Sequence, residues 1–120
     1  MKDLARHMTA VAWRIFRMLM PCEFFSYYDN QKKTSNLHQL VSEFNSTTCW
    51  VATQILTTSS KRARVHLIEQ FIKLTKYLYE MNNFHSCIAV LSALSLMCIQ
   101  RLKETWKVRW FRTLFVAILS

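Results

Sequence analysis

Apolar residues recur along most of this chain at spacings of three and four, which is the period of an α-helix. The clearest stretch runs from Asn82 to Trp106 and ends in a basic segment that contains Arg101 and Lys103. Its main apolar face is predicted to consist of Phe84, Ile88, Leu91, Leu94 and Cys98. Further apolar positions widen that face at Cys87, Val90 and Ile99. This width predicts a helix that neighbouring helices cover on most sides.

Three other segments have the same period and are predicted to pack against this helix. The first, residues 3–20, has apolar positions at Leu4, Met8, Val11, Ile15 and Met18, and Thr9 leaves open whether it forms one helix or two. The second has its apolar stripe at Leu37, Val41, Phe44, Thr48, Val51 and Ile55. The third, which is the most regular, has Leu67, Phe71, Leu74, Leu78 and Met81. Each stripe needs the others, since a lone helix of this length is marginal in water.

Polar and turn-forming residues separate these segments. Pro21 ends the first segment and is expected to begin a short helical turn that reaches residue 27, and residues 28–35 form the clearest loop. A helix cap is expected at Ser35 or Asn36, and another at Ser59 or Ser60. Residues 82–83, both asparagine, end the third segment and begin the fourth. The pattern predicts an all-α fold, an antiparallel helical bundle.

The composition agrees with this fold class and excludes several functions. The 120 residues suit one domain, and about half of them are hydrophobic. Glycine is absent, so asparagine is expected to replace it where helices end. Without glycine, neither a phosphate-binding loop nor a dinucleotide fingerprint is possible. We therefore expect no cofactor and no direct nucleotide binding, and any nucleotide would be handled by a partner protein.

The polar residues do not form a pattern that indicates catalysis or metal binding. The cysteines at positions 22, 49, 87 and 98 form no zinc-type spacing with one another or with the histidines. Carboxylates are few and not paired, and no nucleophile motif is present. We expect no catalytic residue, no metal and buried free thiols, which favour a reducing, cytoplasmic location. The longest apolar run, 13 residues from Cys87 to Ile99, is too short to span a membrane.

The formal net charge of +9 raises the alternative of a nucleic-acid binder. Basic residues alternate with aromatic ones near the end of the chain, at Arg101, Lys103, Trp106, Lys107, Arg109, Trp110, Phe111 and Arg112. Such residues can track a phosphate backbone and stack on bases. The other interpretation, an amphipathic helix with a solvated basic face, is the one we favour.

The same segments resemble a known family. NNFHSCIAVLSALSLMCIQRLKETW, residues 82–106, is similar to a signature of the catalytic domain of Ras-family guanine-nucleotide exchange factors. CWVATQIL (49–56) and KRARVHLIEQFIKL (61–74) resemble other parts of that domain, and residues 3–24 resemble its opening helix. The resemblance covers residues 3–106, so we expect residues 1–106 to form the N-terminal portion of the domain. Residues 107–120 are expected to be a divergent basic and apolar tail.

The resemblance implies a regulatory protein, not an enzyme with its own covalent chemistry. Members of this family bind a Ras-family small GTPase and favour its nucleotide-free form. By position, the expected GTPase-binding residues are Val41, Ser42, Ile88 and Ser95. Ser95 stands where the family usually has asparagine, and His85 likewise replaces a common asparagine. Residues expected to have structural roles are Trp50, Asn83, Phe84, Arg101 and Leu102.

The resemblance also implies that the exchange activity of this chain is reduced. After Trp106 the sequence no longer resembles the family, whose second half contains the helical hairpin that opens the nucleotide site. We therefore expect a truncated exchange factor that is weak or inactive alone. The alternative is a helical interaction module without exchange activity, and a basic nucleic-acid binder ranks below both.

Overall fold

The computed structural model describes residues 1–26 and 35–107, and every regular element in these ranges is helical. The all-α prediction is confirmed for this part of the chain. The helices are α1 (Lys2–Arg17), α2 (Pro21–Ser26), α3 (Ser35–Thr57), α4 (Lys61–Glu80), α5 (Phe84–Leu94), α6 (Met97–Gln100) and α7 (Lys103–Trp106). The first predicted segment is therefore a single helix, in which the Thr9 hydroxyl donates to the Ala5 carbonyl instead of capping a second one.

Helix α4 supplies more of the large, fully buried side chains than any other helix that the structure describes. It packs against α1, α3, α5 and α7, and its predicted stripe is buried at Phe71, Leu74 and Leu78. Ile68 and Ile72 are buried beside that stripe. Each such side chain contributes about 1.5–3 kcal/mol when it leaves water, so α4 supplies a large share of the hydrophobic stabilisation.

Helix α4 runs antiparallel to both α3 and α5, whereas α3 and α5 run parallel. Around the α4–α5 corner, Tyr79 packs against Phe84, and Cys87 donates to the Thr75 carbonyl further along. Between α3 and α5, the Thr48 hydroxyl donates to the Ala89 carbonyl at 3.1 Å. The rings of Phe44 and His85 meet one turn earlier on both helices. In both contacts the α5 residue comes 41 positions after its α3 partner. The same side of α3 therefore contacts the same side of α5 over successive turns.

The predicted helix breaks are confirmed where the structure describes them. Ser60 caps α4 by accepting from the Ala63 amide. Asn82 has a positive φ of 59°, the conformation for which asparagine substitutes for glycine. Asn83 caps α5 through the Ser86 amide, and its Nδ2 donates to Thr9 on α1. The predicted loop at residues 28–35 lies outside the described residues, apart from Ser35, which begins α3.

The predicted continuous helix from Phe84 to Trp106 is wrong, because it is divided into α5, α6 and α7. Leu96 is extended, with φ −60° and ψ 141°. At the end of α5 the Leu91 carbonyl accepts from both the backbone amide and the hydroxyl of Ser95. The Leu94 carbonyl accepts from the Gln100 side chain at 2.7 Å in place of a helical backbone amide, which allows the chain to turn there.

The predicted core face of α5 is also corrected. Phe84, Ile88 and Cys98 are exposed, while the residues turned inward include Ala89 and Ala93. Small side chains allow α3 to approach closely enough for a hydrogen bond to the α5 backbone at Ala89. Packing at this distance therefore decides which apolar side of the helix is buried.

Other core predictions are corrected in the same way. Met18 follows the end of α1 and is exposed, and Val41 on α3 is 37% exposed. The four cysteines are free, as expected, but only Cys87 is buried, and the others are exposed. Burial raises the pKa of the Cys87 thiol, so this thiol is poorly reactive.

The α1–α2 corner is joined to α3 by a buried carboxylate. Glu23 is 3% exposed. Its Oε2 accepts from the Met20 amide at 2.8 Å, and its Oε1 accepts from the Asn36 and Leu37 amides at 3.0 and 3.4 Å. It thus closes the first turn of α2 in the manner of a capping box and also binds amides at the start of α3. The predicted caps Ser35 and Asn36 lie at this helix start, where Asn36 Nδ2 donates to the Met18 carbonyl.

We predict that Glu23 makes the stability of the protein depend on pH. The amides of Met20, Leu37 and Asn36 hold the pKa of its carboxyl below the ordinary value of 4.5, against the opposing effect of burial. The unfolded state therefore binds this proton more readily, and the contribution to stability is lost as the pH falls through the lowered pKa. Glu23→Gln is expected to be less stable than the wild type at pH 7. The difference in the free energy of unfolding between the two proteins is expected to become smaller at acidic pH.

Urea unfolding between pH 7 and pH 3 measures this gap. Glu80→Gln, which changes an exposed carboxylate on α4, is the matched control and is expected to follow the wild type throughout. A constant difference between Glu23→Gln and wild type at every pH would contradict the prediction.

Candidate functional site

Two of the residues singled out from the sequence lie on the outer side of α3. Val41 and Ser42 are both exposed. They border a shallow depression of about 430 Å³ whose remaining lining residues are His38, Asn45, Ser46 and Cys49. The resemblance did not identify Asn45, Ser46 or Cys49. The signal that points to them is helical spacing, since positions 42, 45, 46 and 49 share one side of a helix with small polar side chains.

The other two candidate residues lie on the exposed side of α5. Ile88 is 53% exposed, and Ser95, just after the helix, is exposed with its hydroxyl bonded to the Leu91 carbonyl. Seven residues separate them, which returns to the same helix face about 10 Å further along the axis. Ile88 also lies one turn after His85, which contacts α3.

The parallel pairing of α3 and α5 brings these positions onto one surface. Val41 is one turn before Phe44, and Ile88 is one turn after His85, while Phe44 and His85 touch. We call the surface formed by Val41, Ser42, Asn45, Ser46, Cys49, Ile88 and Ser95 the α3–α5 face. At 1.5 Å per residue, the face extends about 20 Å along the helices.

The α3–α5 face differs electrostatically from the rest of this basic protein. Glu43 is the only Asp, Glu, Lys or Arg residue in α3, and α5 has none. Glu43 is turned towards α5, where its Oε2 lies 2.8 Å from His85 Nε2. The hydrogen bond from His85 holds the pKa of the Glu43 carboxyl below its ordinary value. The exposed side of the two helices therefore presents no Asp, Glu, Lys or Arg side chain, and suits a partner surface of mixed apolar and polar character.

The residues expected to have structural roles occupy joints between helices. The ring of Trp50 packs edge-to-face on Phe71 of α4, with centroids 5.7 Å apart. Asn83 links α5 to α1 through Thr9, and Phe84 packs on Tyr79 although it is half exposed. Arg101 is the exposed residue that ends α6. Leu102, which precedes α7, packs against the core.

A second concave surface lies where α1, α3 and the α4–α5 corner meet. This groove has a volume of about 530 Å³. Its aromatic lining residues are Trp13, Phe16 and Phe84, together with the ring of His85. The rings of Trp13 and Phe16 stack with their centroids 6.0 Å apart. His85 therefore lies between this groove and the α3–α5 face.

Other kinds of site find little support in the described part of the chain. Residues 1–26 and 35–107 contain no group of three or more His, Cys, Asp or Glu side chains that could hold a metal ion. No helix within these ranges combines the length and apolar character needed to cross a bilayer. The Trp106 indole donates to the Ile99 carbonyl at 2.9 Å and is partly buried against the core, which gives this residue a structural role. Residues 109–112 of the basic and aromatic cluster lie outside the described residues.

Comparison with known proteins gives a consistent result. Residues 3–112 match the family described as RasGEF domain. Ras guanine nucleotide exchange factor Q of Dictyostelium discoideum is 33% identical over 109 residues, which are 88% of this chain and 8% of that protein. Rap guanine nucleotide exchange factor-like 1 of Mus musculus is 32% identical over 110 residues, which are 88% of this chain and 17% of that protein. The chain thus spans less than a quarter of the length of these curated relatives.

Proposed function

Because this chain belongs to the RasGEF domain family, we propose that it is a guanine-nucleotide exchange-factor domain that binds a Ras-family small GTPase. The observation that carries the proposal is the family match over residues 3–112. The α3–α5 face is the surface we assign to the GTPase. Val41 and Ile88 are its apolar contacts, and Ser42 and Ser95 are its polar contacts.

The composition of the α3–α5 face supports this assignment. Interface centres are depleted in charge, and their buried anchors are surrounded by a more polar rim. Val41 and Ile88 are exposed anchors of this kind, and the small polar residues Asn45 and Ser46 lie beside Val41. A surface without Lys, Arg, Asp or Glu does not need to desolvate a full charge when the partner covers it.

The mechanism we propose is differential binding without covalent chemistry. A protein that binds the nucleotide-free GTPase more tightly than the loaded form lowers the affinity of the GTPase for nucleotide by the same factor. If the GTPase holds nucleotide with picomolar affinity, the opposing free energy is about 16 kcal/mol. The binding free energy that one docking face of neutral residues can supply is small compared with this opposing free energy. We therefore expect the 120-residue chain to bind the GTPase but to accelerate GDP release only weakly.

A binding assay against nucleotide-free and GDP-loaded Ras, Rap and Ral proteins tests the proposal. We expect capture of at least one nucleotide-free GTPase and much weaker capture of its loaded form, since exchange factors act through this difference. Failure to bind any nucleotide-free member of the panel would remove the proposed function.

For a GTPase whose nucleotide-free form is captured, release of labelled GDP from its GDP-loaded form then separates the two remaining possibilities. A small acceleration agrees with a weak exchange factor. Binding with no acceleration at any concentration identifies the chain as a helical interaction module without exchange activity.

We also propose a cytoplasmic location, which the free cysteines support.

A further inference from the structure

The strongest polar contact between the two helices of the α3–α5 face is the pair formed by Glu43 and His85. Their nearest atoms, Oε2 and Nε2, are 2.8 Å apart. A carboxylate only accepts hydrogen bonds, so Nε2 of His85 carries the donated proton. The side chains of His85 and Glu43 are 27% and 19% exposed, respectively. This contact is therefore better shielded from solvent than the ion pairs on the surface of the described residues.

Each member of the pair is also held by its own surroundings. The second carboxylate oxygen of Glu43 accepts from the Thr47 hydroxyl at 3.1 Å, one turn further along α3. The imidazole of His85 meets the ring of Phe44 edge-on, with centroids 5.5 Å apart. These contacts restrict the rotamers of both side chains. The hydrogen bond between the two side chains therefore restricts the position of α5 relative to α3.

The pair is placed where it controls the geometry of the α3–α5 face. Glu43 directly follows Ser42, and His85 lies one turn before Ile88. The next polar link between the helices, from Thr48 to Ala89, lies one turn further along. Two polar links along a parallel pair of helices restrict their register and rotation more closely than the packing of apolar side chains and one link do. Ile88 lies between the two links, so its position relative to Val41 depends on both.

We propose that the Glu43–His85 pair is the positioning contact that holds Val41 and Ile88 in register for the GTPase. The inference rests on the proposed function, and neither residue of the pair is assigned a direct contact with the partner. Sequence alone does not place these residues together, because 42 positions separate them.

Affinity for the nucleotide-free GTPase, measured by calorimetry, tests the proposal. Glu43→Gln and His85→Gln each keep the size of a polar side chain but remove one charge or the ring. We expect each to weaken binding about tenfold, which corresponds to a coupling of about 1.4 kcal/mol. The double variant is expected to bind no more weakly than either single variant, since both remove the same contact. Glu69→Gln, which removes the Glu69–Lys73 pair within α4, is the matched control and is expected to bind like the wild type.

Two further measurements distinguish positioning from a general loss of structure. The exchanged pair Glu43→Lys with His85→Glu restores the attraction, places an acidic residue in the first turn of α5 where the helix dipole favours it, and is expected to recover most of the affinity. Ile88→Ala is expected to weaken binding less in the His85→Gln background than in the wild type, because Ile88 is already displaced there. Circular dichroism at the assay temperature verifies that each variant is folded.

The outcomes separate this proposal from the proposed function. If the wild type binds no nucleotide-free GTPase, the proposed function itself fails. If the wild type binds and both single variants bind equally well, the positioning role is overturned while the proposed function stands. Loss of affinity that the exchanged pair does not recover, together with additive effects of Ile88→Ala, also overturns it, since this result describes a merely structural contact.

Discussion

Replacing Phe71 by alanine is expected to lower the free energy of unfolding by about 3–5 kcal/mol, the usual cost of removing a buried aromatic side chain. Phe71 is 1% exposed and lies in the middle of α4. Its ring is the partner of Trp50 on α3. The substitution leaves a cavity that α4 cannot close by itself, because helices pack on several of its sides. A domain of this size is typically stable by about 5–15 kcal/mol, so the variant is expected to be marginal.

Urea unfolding followed by circular dichroism measures this loss. Tyr79→Ala is the matched control, because Tyr79 is an aromatic residue of the same helix that is 60% exposed. Its ring contact with Phe84 is expected to be worth about 1.5 kcal/mol or less. Equal losses for the two variants would contradict the burial of Phe71 in the core.

The position of Phe71 was predictable because α4 has one apolar side and one charged side. Leu67, Phe71, Leu74 and Leu78 repeat on the apolar side, and basic residues occupy the other, so periodicity alone selects the inward face. The breaks on either side of α4 were predictable for a local reason. Ser60 and Asn82 act within their own turn, and local chemistry is visible in a sequence.

The orientation of α5 was not predictable in this way. This helix is apolar on most sides, so its periodicity fits more than one inward face. The choice depends on the distance to α3, which favours Ala89 and Ala93 at the contact and leaves Ile88 exposed. That distance is a property of the packed pair of helices and does not appear in either segment alone.

Long-range polar contacts were likewise outside the reach of sequence analysis. Glu23 binds amides at the start of α3, and Glu43 binds His85 across two helices. A carboxylate in a sequence gives no indication of whether it is solvated or takes up amides from elsewhere. The residues of the candidate site were predicted through the family resemblance. The absence of charge on the α3–α5 face depends on the fold, because Glu43, the only carboxylate of α3 and α5, is turned towards His85.

Replacing Ile88 by aspartate is expected to weaken binding to the nucleotide-free GTPase by about 2 kcal/mol or more, the usual threshold for an interface hot spot, which is roughly 30-fold. Ile88 is an exposed apolar residue at the middle of the α3–α5 face, and we propose it as an anchor of the interface. A carboxylate there must lose its hydration when the partner covers it, and the face offers no cation to pair with it. Because the side chain is already in contact with solvent in the free protein, the free energy of unfolding is expected to change little.

Phe25→Asp is the control for the effect of introducing a negative charge in Ile88→Asp. Phe25 is 87% exposed on α2, so the change also introduces a carboxylate at an exposed apolar position. We expect this variant to bind the GTPase like the wild type, since α2 does not contribute to the α3–α5 face. Equal losses for both variants would mean that added negative charge is sufficient to repel the partner, and the docking surface would then have to be sought elsewhere. A loss confined to Ile88→Asp instead identifies α5 as part of the surface that the GTPase covers.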